Sequence, residues 1–334
     1  MAESTLIYYG DKIFSMKIKL IIILIIATVS GIGIHYYSLQ MPEMPEFPVF
    51  ERSQPLVLIF VGDIMLDRGV RYMVDRYGNG DYRFPFLKIK ERLEEADILF
   101  GNLESMISDK GEDLGGVYSF RADPRAIEGL VWAGFNLVSV SNNHVFDYGR
   151  EAMEDCFSRL KEAGIIYVGG GFNKEEAYSP VITEVKGVKV AFLAYTDVGS
   201  PNWAAREESF GIAWLDMEEM KKGIYRAKKE ADIVIVSFHY GEEYQSSPNL
   251  SQIEVSQAAI EYGADLVIGH HPHVIQPIEG NIAYSLGNFV FDQGFSEETM
   301  EGLLLKAVVI NKEIKELIPI KFRMNEYFQP IPID

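Results

Sequence analysis

The segment Leu58-Ile-Phe-Val-Gly-Asp63 is a short apolar run that ends in a carboxylate. Five more apolar runs end in the same manner, in polar side chains that can bind a metal ion. They end at Asn102 and Glu104; at Ser141, Asn142, Asn143 and His144; at His239; at His270, His271 and His273; and at Asn288. Because ligands gather at the carboxyl ends of strands in open α/β sheets, we expect these side chains to form one site.

The histidines strengthen this expectation. Five of the six lie at such strand ends, and the sixth, His35, lies in the amino-terminal apolar stretch. A single histidine after a strand is more often structural, but five at one edge favour a site. Carboxylate, amide oxygen and imidazole ligands suit Mn, Fe or Zn. With Cys156 as the one cysteine, disulfides and Cys-rich zinc sites are excluded. A set of this kind is typical of one- or two-metal hydrolytic centres.

From Leu56 onward, short apolar runs alternate with amphipathic stretches, which predicts an α/β fold. Helices are predicted over Phe86–Ala96, Gly149–Ala163 and Met217–Glu230. The pattern then changes to consecutive strands, including Leu303–Ile310 and Ile314–Phe322. The residues alone indicate a mixed sheet, or two sheets, flanked by helices in one domain.

The charge balance limits the possible partners. The 334 residues contain 31 Lys and Arg against 49 Asp and Glu, a net charge of −18 at pH 7. Binding to phosphate backbones requires a basic face, so we expect no nucleic-acid partner. The simplest interpretation is an acidic, self-repelling surface.

The amino-terminal segment predicts a membrane anchor. No charged residue lies between Lys19 and Glu43, and the apolar span Leu20–Leu39 is long enough to cross a bilayer as a helix. Lysines before it and glutamates after it place the amino terminus in the cytoplasm and the rest of the chain outside. We therefore expect a single-pass cell-membrane protein whose carboxy-terminal domain is extracytoplasmic. A cleaved signal peptide is the alternative, but His35-Tyr-Tyr-Ser-Leu-Gln-Met-Pro42 lacks a small-residue cleavage site.

The predicted organisation follows from these boundaries. Residues 1–16 form a cytoplasmic tail, 17–39 a transmembrane helix, and 40–55 a Pro-rich tether. A single α/β domain over 56–325 and a carboxy-terminal tail over 326–334 complete the chain.

The polar segments together resemble the CapA family of capsule-synthesis proteins, which are associated with poly-γ-glutamate. Six segments carry the resemblance, in the family's order over residues 56–295. They are Gly62-Asp-Ile-Met-Leu66, Gly101-Asn-Leu-Glu104, Ser141-Asn-Asn-His144 with Asp147-Tyr-Gly149, His239-Tyr-Gly-Glu-Glu-Tyr244, Gly269-His-His-Pro-His-Val274 with Gln276, and Ser285-Leu-Gly-Asn-Phe289 with Asp292.

That family looks like a branch of the calcineurin-like metallophosphatases. The resemblance implies a four-layer α/β/β/α sandwich with a divalent metal site at the strand ends. It also implies that His144 protonates the leaving group. The metal ligands that it implies are Asp63, Glu104, Asn143, His239, His271 and His273.

Three departures from the metallophosphatase pattern stand out. Met65 occupies the place of a ligating histidine, Glu104 replaces the bridging aspartate, and Val145 follows Asn-His where an acid is usual. Because Met65 removes one imidazole ligand, the resemblance leaves open whether the site binds one metal ion or two. We further expect Asn142, Asn288 and Arg121 to bind substrate, the last by a bidentate contact to a phosphate or carboxylate. An ion pair of Arg121 with Asp123 or another carboxylate is the alternative.

Two functions remain open at this point. The first is a membrane-anchored, metal-dependent phosphoesterase-like enzyme that serves the assembly or export of an anionic surface polymer, together with other polymer-synthesis subunits. The second is a non-catalytic, metal-binding scaffold subunit of a polymer synthesis or export complex.

Overall fold

The computed structural model describes residues 54–333. The predicted cytoplasmic tail, the predicted transmembrane helix and residues 40–53 of the predicted tether lie outside this range. Within residues 54–333, no helix combines the length and the apolar character that crossing a bilayer requires.

Strands and helices alternate through the first three quarters of the described chain, and strands dominate its end. The strands are β1 Leu56–Ile64, β2 Ile98–Leu103, β3 Met106–Ile107, β4 Arg121–Ala122, β5 Leu137–Ser139, β6 Ile166–Val168, β7 Gly170–Gly171, β8 Val181–Val185, β9 Val188–Thr196, β10 Gly211–Ile212, β11 Ile233–His239, β12 Leu266–His270, β13 Ile278–Glu279, β14 Ile282–Ala283, β15 Asn288–Val290, β16 Glu301–Ile310, β17 Glu313–Met324 and β18 Pro330–Pro332. The α-helices are α1 Arg68–Tyr77, α2 Lys90–Leu93, α3 Ala126–Ala133, α4 Gly149–Glu162, α5 Lys174–Tyr178, α6 Met217–Glu230 and α7 Leu250–Tyr262.

Two mixed sheets form the centre of the fold. The larger has the order β18-β17-β16-β1-β2-β5-β6, with β15 also pairing with β1. In it, β1, β2, β5, β6 and β15 are parallel, and β16 to β18 are antiparallel. The smaller has the order β13-β14-β12-β11-β9-β8, and β9, β11, β12 and β14 in it are parallel. The parallel strands of each sheet therefore bring their carboxyl ends to a common edge.

Alternating apolar residues on the strands produce three cores. Phe60, Phe100 and Phe192 belong to a cluster with members from both sheets, so the two sheets pack face to face. A second cluster joins the opposite face of the larger sheet to α1, α3 and α4. A third joins the smaller sheet to α6 and α7. The result is a mixed α/β sandwich with helices on its outer faces.

The helices that cover the smaller sheet have well-defined starts. Asp216 accepts hydrogen bonds from the backbone N–H groups of Glu218 and Glu219 at the start of α6. Asn249 and Gln252 form a capping box at the start of α7, which ends at Gly263 in the left-handed conformation. These contacts satisfy backbone groups that have no partner within the helix.

At two glycines near the strand ends, another segment of backbone packs directly against the strand. A Cβ at Gly62 would lie 1.7 Å from the carbonyl oxygen of Gly287, and one at Gly269 would lie 1.9 Å from that of Tyr284. No side chain fits in either place. Each glycine immediately precedes a polar residue of the strand-end edge, so this close packing fixes where Asp63 and His270 lie.

Regular structure continues close to the carboxy-terminal end of the described residues. Residues 330–332 form β18, which pairs with β17, so the sheet continues beyond residue 325. A turn stabilised by Asn325, whose side chain accepts hydrogen bonds from the N–H groups of Tyr327 and Gln329, reverses the chain. Residues 326–333 of the predicted tail therefore include this turn and β18.

Candidate metal centre

The candidate ligands lie at the carboxyl ends of strands, along one edge of the sandwich. In the larger sheet, Asp63 is in register with Asn102 on one side and Asn288 on the other. In the smaller sheet, His239 is in register with His270. Parallel neighbouring strands end together within each sheet, and the face-to-face packing of the two sheets brings the two sets of residues to one edge.

Three buried side chains form what we call the inner ligand group: Asp63, Glu104 and His239. One ligand atom from each lies within 4.8 Å of the others. The Asn102 amide lies between them, with Nδ2 2.9 Å from Asp63 Oδ1 and 3.2 Å from His239 Nδ1. This spacing is close enough for the three side chains to share one ion after small adjustments.

A second set, the outer ligand group, consists of Glu243, His271 and His273, and its ligand atoms also lie within 4.8 Å of one another. Both histidines are buried, whereas Glu243 is exposed. The two groups adjoin, because His273 Nε2 lies 3.6 Å from Glu104 Oε1. His271 and His273 both have positive φ, 95° and 58°. Such backbone strain is typical of functional sites.

Several buried polar atoms of this edge have no hydrogen-bond partner among the described residues. They are Glu104 Oε1, both ring nitrogens of His270, and His271 Nδ1. Since buried polar groups are normally paired, these atoms match a site that a cation completes. The nitrogen and oxygen donors fit a divalent ion such as Mn, Fe or Zn.

Burial sets the charge of these groups. Burial and the nearby Asp63 raise the pKa of Glu104 well above its usual range. Burial also raises the pKa of Asp63, but the adjacent imidazoles of His270 and His273 outweigh it and hold that pKa well below the usual range. Burial lowers the pKa of His239, and it lowers that of His271 to about 3. Both imidazoles are therefore neutral at pH 7, which is the form that binds metal.

His144 lies beside the inner ligand group in a defined orientation. Its Nδ1 is 2.7 Å from Asp147 Oδ2, and its Nε2 is 3.8 Å from Glu104 Oε1. With Nδ1–H donating to Asp147, Nε2 faces the candidate ligands. Phe120 supports the pair, because its N–H donates to Asp147 Oδ2 and its ring packs 4.0 Å from the imidazole, centroid to centroid.

Asn143 connects His144 to the inner ligand group. Its Oδ1 lies 2.8 Å from His239 Nε2, and its Nδ2 lies 3.2 Å from His144 Nε2. All six residues predicted to bind metal, together with His144, therefore lie in one connected cluster. Their roles as ligands and as proton donor stay predictions.

The three predicted substrate-binding residues lie in different surroundings. Asn142 uses its side chain within the loop: Nδ2 donates to Asn102 Oδ1 and to Leu103 O, and Oδ1 accepts from His144 N. Asn288 contacts His273, with Oδ1 2.9 Å from its Nδ1. Arg121 donates to the carbonyl oxygens of Lys110 and Gly111 and stacks on Tyr148, where it lines a different cavity from the one that His144 and His273 line.

Three further residues lie at this site. Asn102 and His270 were expected at this edge without a specific role, whereas Glu243 was not predicted to belong to it. Each belongs to a segment that carried the family resemblance. His270 ends its strand like the other candidates, with Nδ1 3.5 Å from Asp63 Oδ1. Glu243 follows His239 by four residues in a loop, so only the fold shows that it reaches His271 and His273.

Comparison with known proteins agrees with this geometry. The sequence model described as "Bacterial capsule synthesis protein PGA_cap" matches residues 57–293, which span all six polar segments. The chain belongs to this family.

Two curated relatives of this PGA_cap member are similar in sequence. Identity is 36% over 262 residues with the "Capsule biosynthesis protein CapA" of Bacillus anthracis, covering 75% of this chain. It is 34% over 244 residues with the "PGA biosynthesis protein CapA" of Bacillus subtilis (strain 168), covering 71%. The chain spans 63% of the length of each relative.

The fold of the PGA_cap member resembles the calcineurin-like metallophosphatases. A crystal structure of "calcineurin-like phosphoesterase YfkN from Bacillus subtilis" superposes with a TM-score of 0.50 at 16% identity. The superposition covers 80% of this chain and 90% of that one. The expected sandwich class is confirmed at the level of a mixed α/β sandwich.

Proposed function

We propose that the strand-end edge is a metal-dependent phosphoester hydrolase site. The observation that supports this most directly is the placement of His144, with its Asp147 partner, beside two adjoining ligand groups. A general acid, a place for a cation and an adjacent cavity are the parts that phosphoester hydrolysis needs.

The ligand set suits Mn, Fe or Zn, and its division into inner and outer groups suits two ions. A divalent ion here supplies charge neutralisation and an activated water for attack on phosphorus. The residues of the chain provide the rest. Asn102 and Asn143 hold the inner group in place, and Asp147 accepts a hydrogen bond from Nδ1–H of His144, which points Nε2 inward. In its doubly protonated form, His144 would give the Nε2 proton to the leaving oxygen as the P–O bond breaks, and it would return to the Nδ1–H tautomer.

The biological setting that we propose is the assembly or export of an anionic surface polymer of the poly-γ-glutamate type. The names of the two Bacillus relatives support it. We propose further that the amino-terminal apolar span anchors the chain in the cell membrane, with the α/β domain outside. Other polymer-synthesis subunits are the expected partners, and the net charge of −18 argues against nucleic acid.

A second candidate function is a metal-binding scaffold without catalysis. It is favoured by Met65, which stands where metallophosphatases carry a ligating imidazole. Met65 is fully buried, and its thioether sulfur accepts a hydrogen bond from the N–H of Asp67. A site lacking one imidazole can keep a structural ion without supporting turnover.

Two single variants in cells separate these functions. We expect His144→Ala to abolish surface polymer while leaving metal in the purified chain, and His271→Ala to reduce both. Normal polymer with His144→Ala, but none with His271→Ala, would contradict the catalytic function and support the scaffold. Immunoblots of the membrane fraction control for the amount of each variant.

A further inference from the structure

Arg68 is a cation near the candidate metal centre that the sequence did not single out. Its Nε donates to Asp292 Oδ2 at 3.1 Å, and Nη2 contacts Oδ1 of the same carboxylate. The N–H of Gly69 also donates to Asp292, which fixes the carboxylate. Because a guanidinium has five N–H donors, the pairing with Asp292 does not use Nη1 or the second hydrogen of Nη2, and among the described residues no hydrogen-bond acceptor is seen for them.

Aromatic packing places this guanidinium near His144. The central carbon of the Arg68 guanidinium lies 4.6 Å from the centroid of the Phe120 ring. The same ring packs against the imidazole of His144 at 4.0 Å. Arg68 and the proposed general acid are therefore both positioned by Phe120. The Arg68 side chain is 32% exposed, so its free edge is open to a ligand.

Arg68, His144 and His273 line one cavity of about 160 Å³, which we call the Arg68 cavity. Among the described residues that line it, Arg68 is the single Lys or Arg, whereas Glu243 and Asp292 are acidic. Asp292 pairs with Arg68, and Glu243 belongs to the outer ligand group, where a bound cation would neutralise it. The single guanidinium is then better matched in charge to a monoanion than to a dianionic phosphate. The planar donor edge of Arg68 matches a carboxylate in a two-bond contact.

We propose that the Arg68 cavity is a carboxylate subsite, in which the free edge of Arg68 binds a carboxylate group of the substrate. This inference rests on the proposed function, in which the phosphoester group lies at the ligand groups. A poly-γ-glutamate chain carries one carboxylate on each residue, so it presents the required group at regular intervals. The contact fixes how the substrate lies relative to His144, which is the task that sequence analysis had assigned to Arg121.

The test is calorimetric titration of the purified full chain, loaded with Mn²⁺. One titrant is a short γ-glutamate oligomer, and the other is inorganic phosphate. We expect Arg68→Gln to weaken oligomer binding by about 10- to 100-fold, the loss typical of hydrogen bonds to charged groups. Phosphate binding and Mn content should not change. Arg71→Gln is the matched control, because Arg71 lies on the same helix but contacts Asp123 and lines another cavity.

Arg68→Gln alone leaves the charge of Asp292 unpaired, which can prevent folding. The double variant Arg68→Gln/Asp292→Asn removes both charges, and we expect it to show the same loss of about 10- to 100-fold in oligomer affinity. Oligomer affinity equal to that of the wild type in a folded variant would overturn the proposal. So would a loss of phosphate binding alone, or a wild-type chain that does not bind the oligomer. Since titration needs no turnover, oligomer binding through Arg68 without any phosphoester hydrolysis would support the subsite while contradicting the proposed function.

Discussion

The Nδ1 atom of His273 lies 2.9 Å from the side-chain oxygen of Asn288. Asn288 itself is fixed, because its Nδ2 donates to Thr299 O and to Gln293 Oε1. The imidazole therefore donates through Nδ1 and directs Nε2 towards Glu104. Partners of this kind set the tautomer and orientation of metal-binding histidines.

Replacing Asn288 by Leu should weaken metal binding without removing a ligand. The variant keeps the volume of the side chain but leaves His273 Nδ1 without its acceptor, so we expect Mn²⁺ affinity to fall by about 10- to 100-fold. Titration calorimetry measures this, with Asn281→Leu at an exposed turn as the control. Unchanged Mn²⁺ affinity together with lost substrate binding would instead support the substrate-binding role predicted from the sequence.

Replacing Glu243 by Gln should affect the outer ligand group alone. The change keeps the shape of the side chain but removes its charge, so we expect the outer group to lose its ion while the inner group keeps one. The bound metal per chain, measured by mass spectrometry after dialysis, should fall. The matched control is Glu242→Gln, because Glu242 is the adjacent residue in the chain and its carboxylate belongs to neither ligand group. Equal metal content in the Glu243 and Glu242 variants would show that Glu243 is not a ligand.

The thiol of Cys156 should be unreactive in the folded chain. Burial raises its pKa to about 12, and the side chain is fully buried on the core-facing side of α4. The reactive thiolate is therefore rare at pH 8. We expect an aromatic disulfide reagent to label the chain in urea and leave it unlabelled in buffer over the same time. Rapid stoichiometric labelling of the native chain would contradict the packing around α4.

A chain that begins at residue 51 should fold and remain soluble. The three apolar clusters draw their described members from Leu56 onward, so each sheet keeps the helices that cover it. We expect circular dichroism to show a cooperative thermal transition, and gel filtration to show one peak. Recovery of the shortened chain only as aggregate, under conditions where the full chain is recovered in detergent, would argue against it.

Periodicity predicted the regular elements well where an amphipathic pattern was uninterrupted. The predicted helix over Met217–Glu230 matches α6, and the predicted helix over Gly149–Ala163 matches α4 to within one residue. The helix predicted over Phe86–Ala96 is wrong in extent. The structure has a short 3₁₀ turn at Phe84–Phe86 and the four-residue helix α2 in this region. Turns around Pro85 and Ile89 interrupt the segment, so it does not form one continuous helix.

The site was predictable where ligands end parallel strands, because strand register aligns Asp63 with its neighbours in one sheet and His239 with its neighbours in the other, and the two sheets pack face to face. The site residues that lie in loops or bends were not predictable from the sequence. Glu243 reaches His271 through a loop whose path no periodicity encodes. Arg68 was not predicted because its position at the site depends on the pairing with Asp292, which lies 224 residues further along the chain.

The central claim is that His144 acts as the proton donor of a metal-dependent phosphoester hydrolase. The most direct test is the rate at which the purified, Mn²⁺-loaded full chain hydrolyses an alkyl phosphoester such as glycerol 2-phosphate, whose alkoxide leaving group needs a proton, compared between wild type and His144→Ala at equal metal content. We expect the wild type to turn over and the variant to be slower by about 10²- to 10⁴-fold, the usual contribution of a general acid. Equal rates in the two proteins, or no hydrolysis by a fully metal-loaded wild type, would contradict the claim.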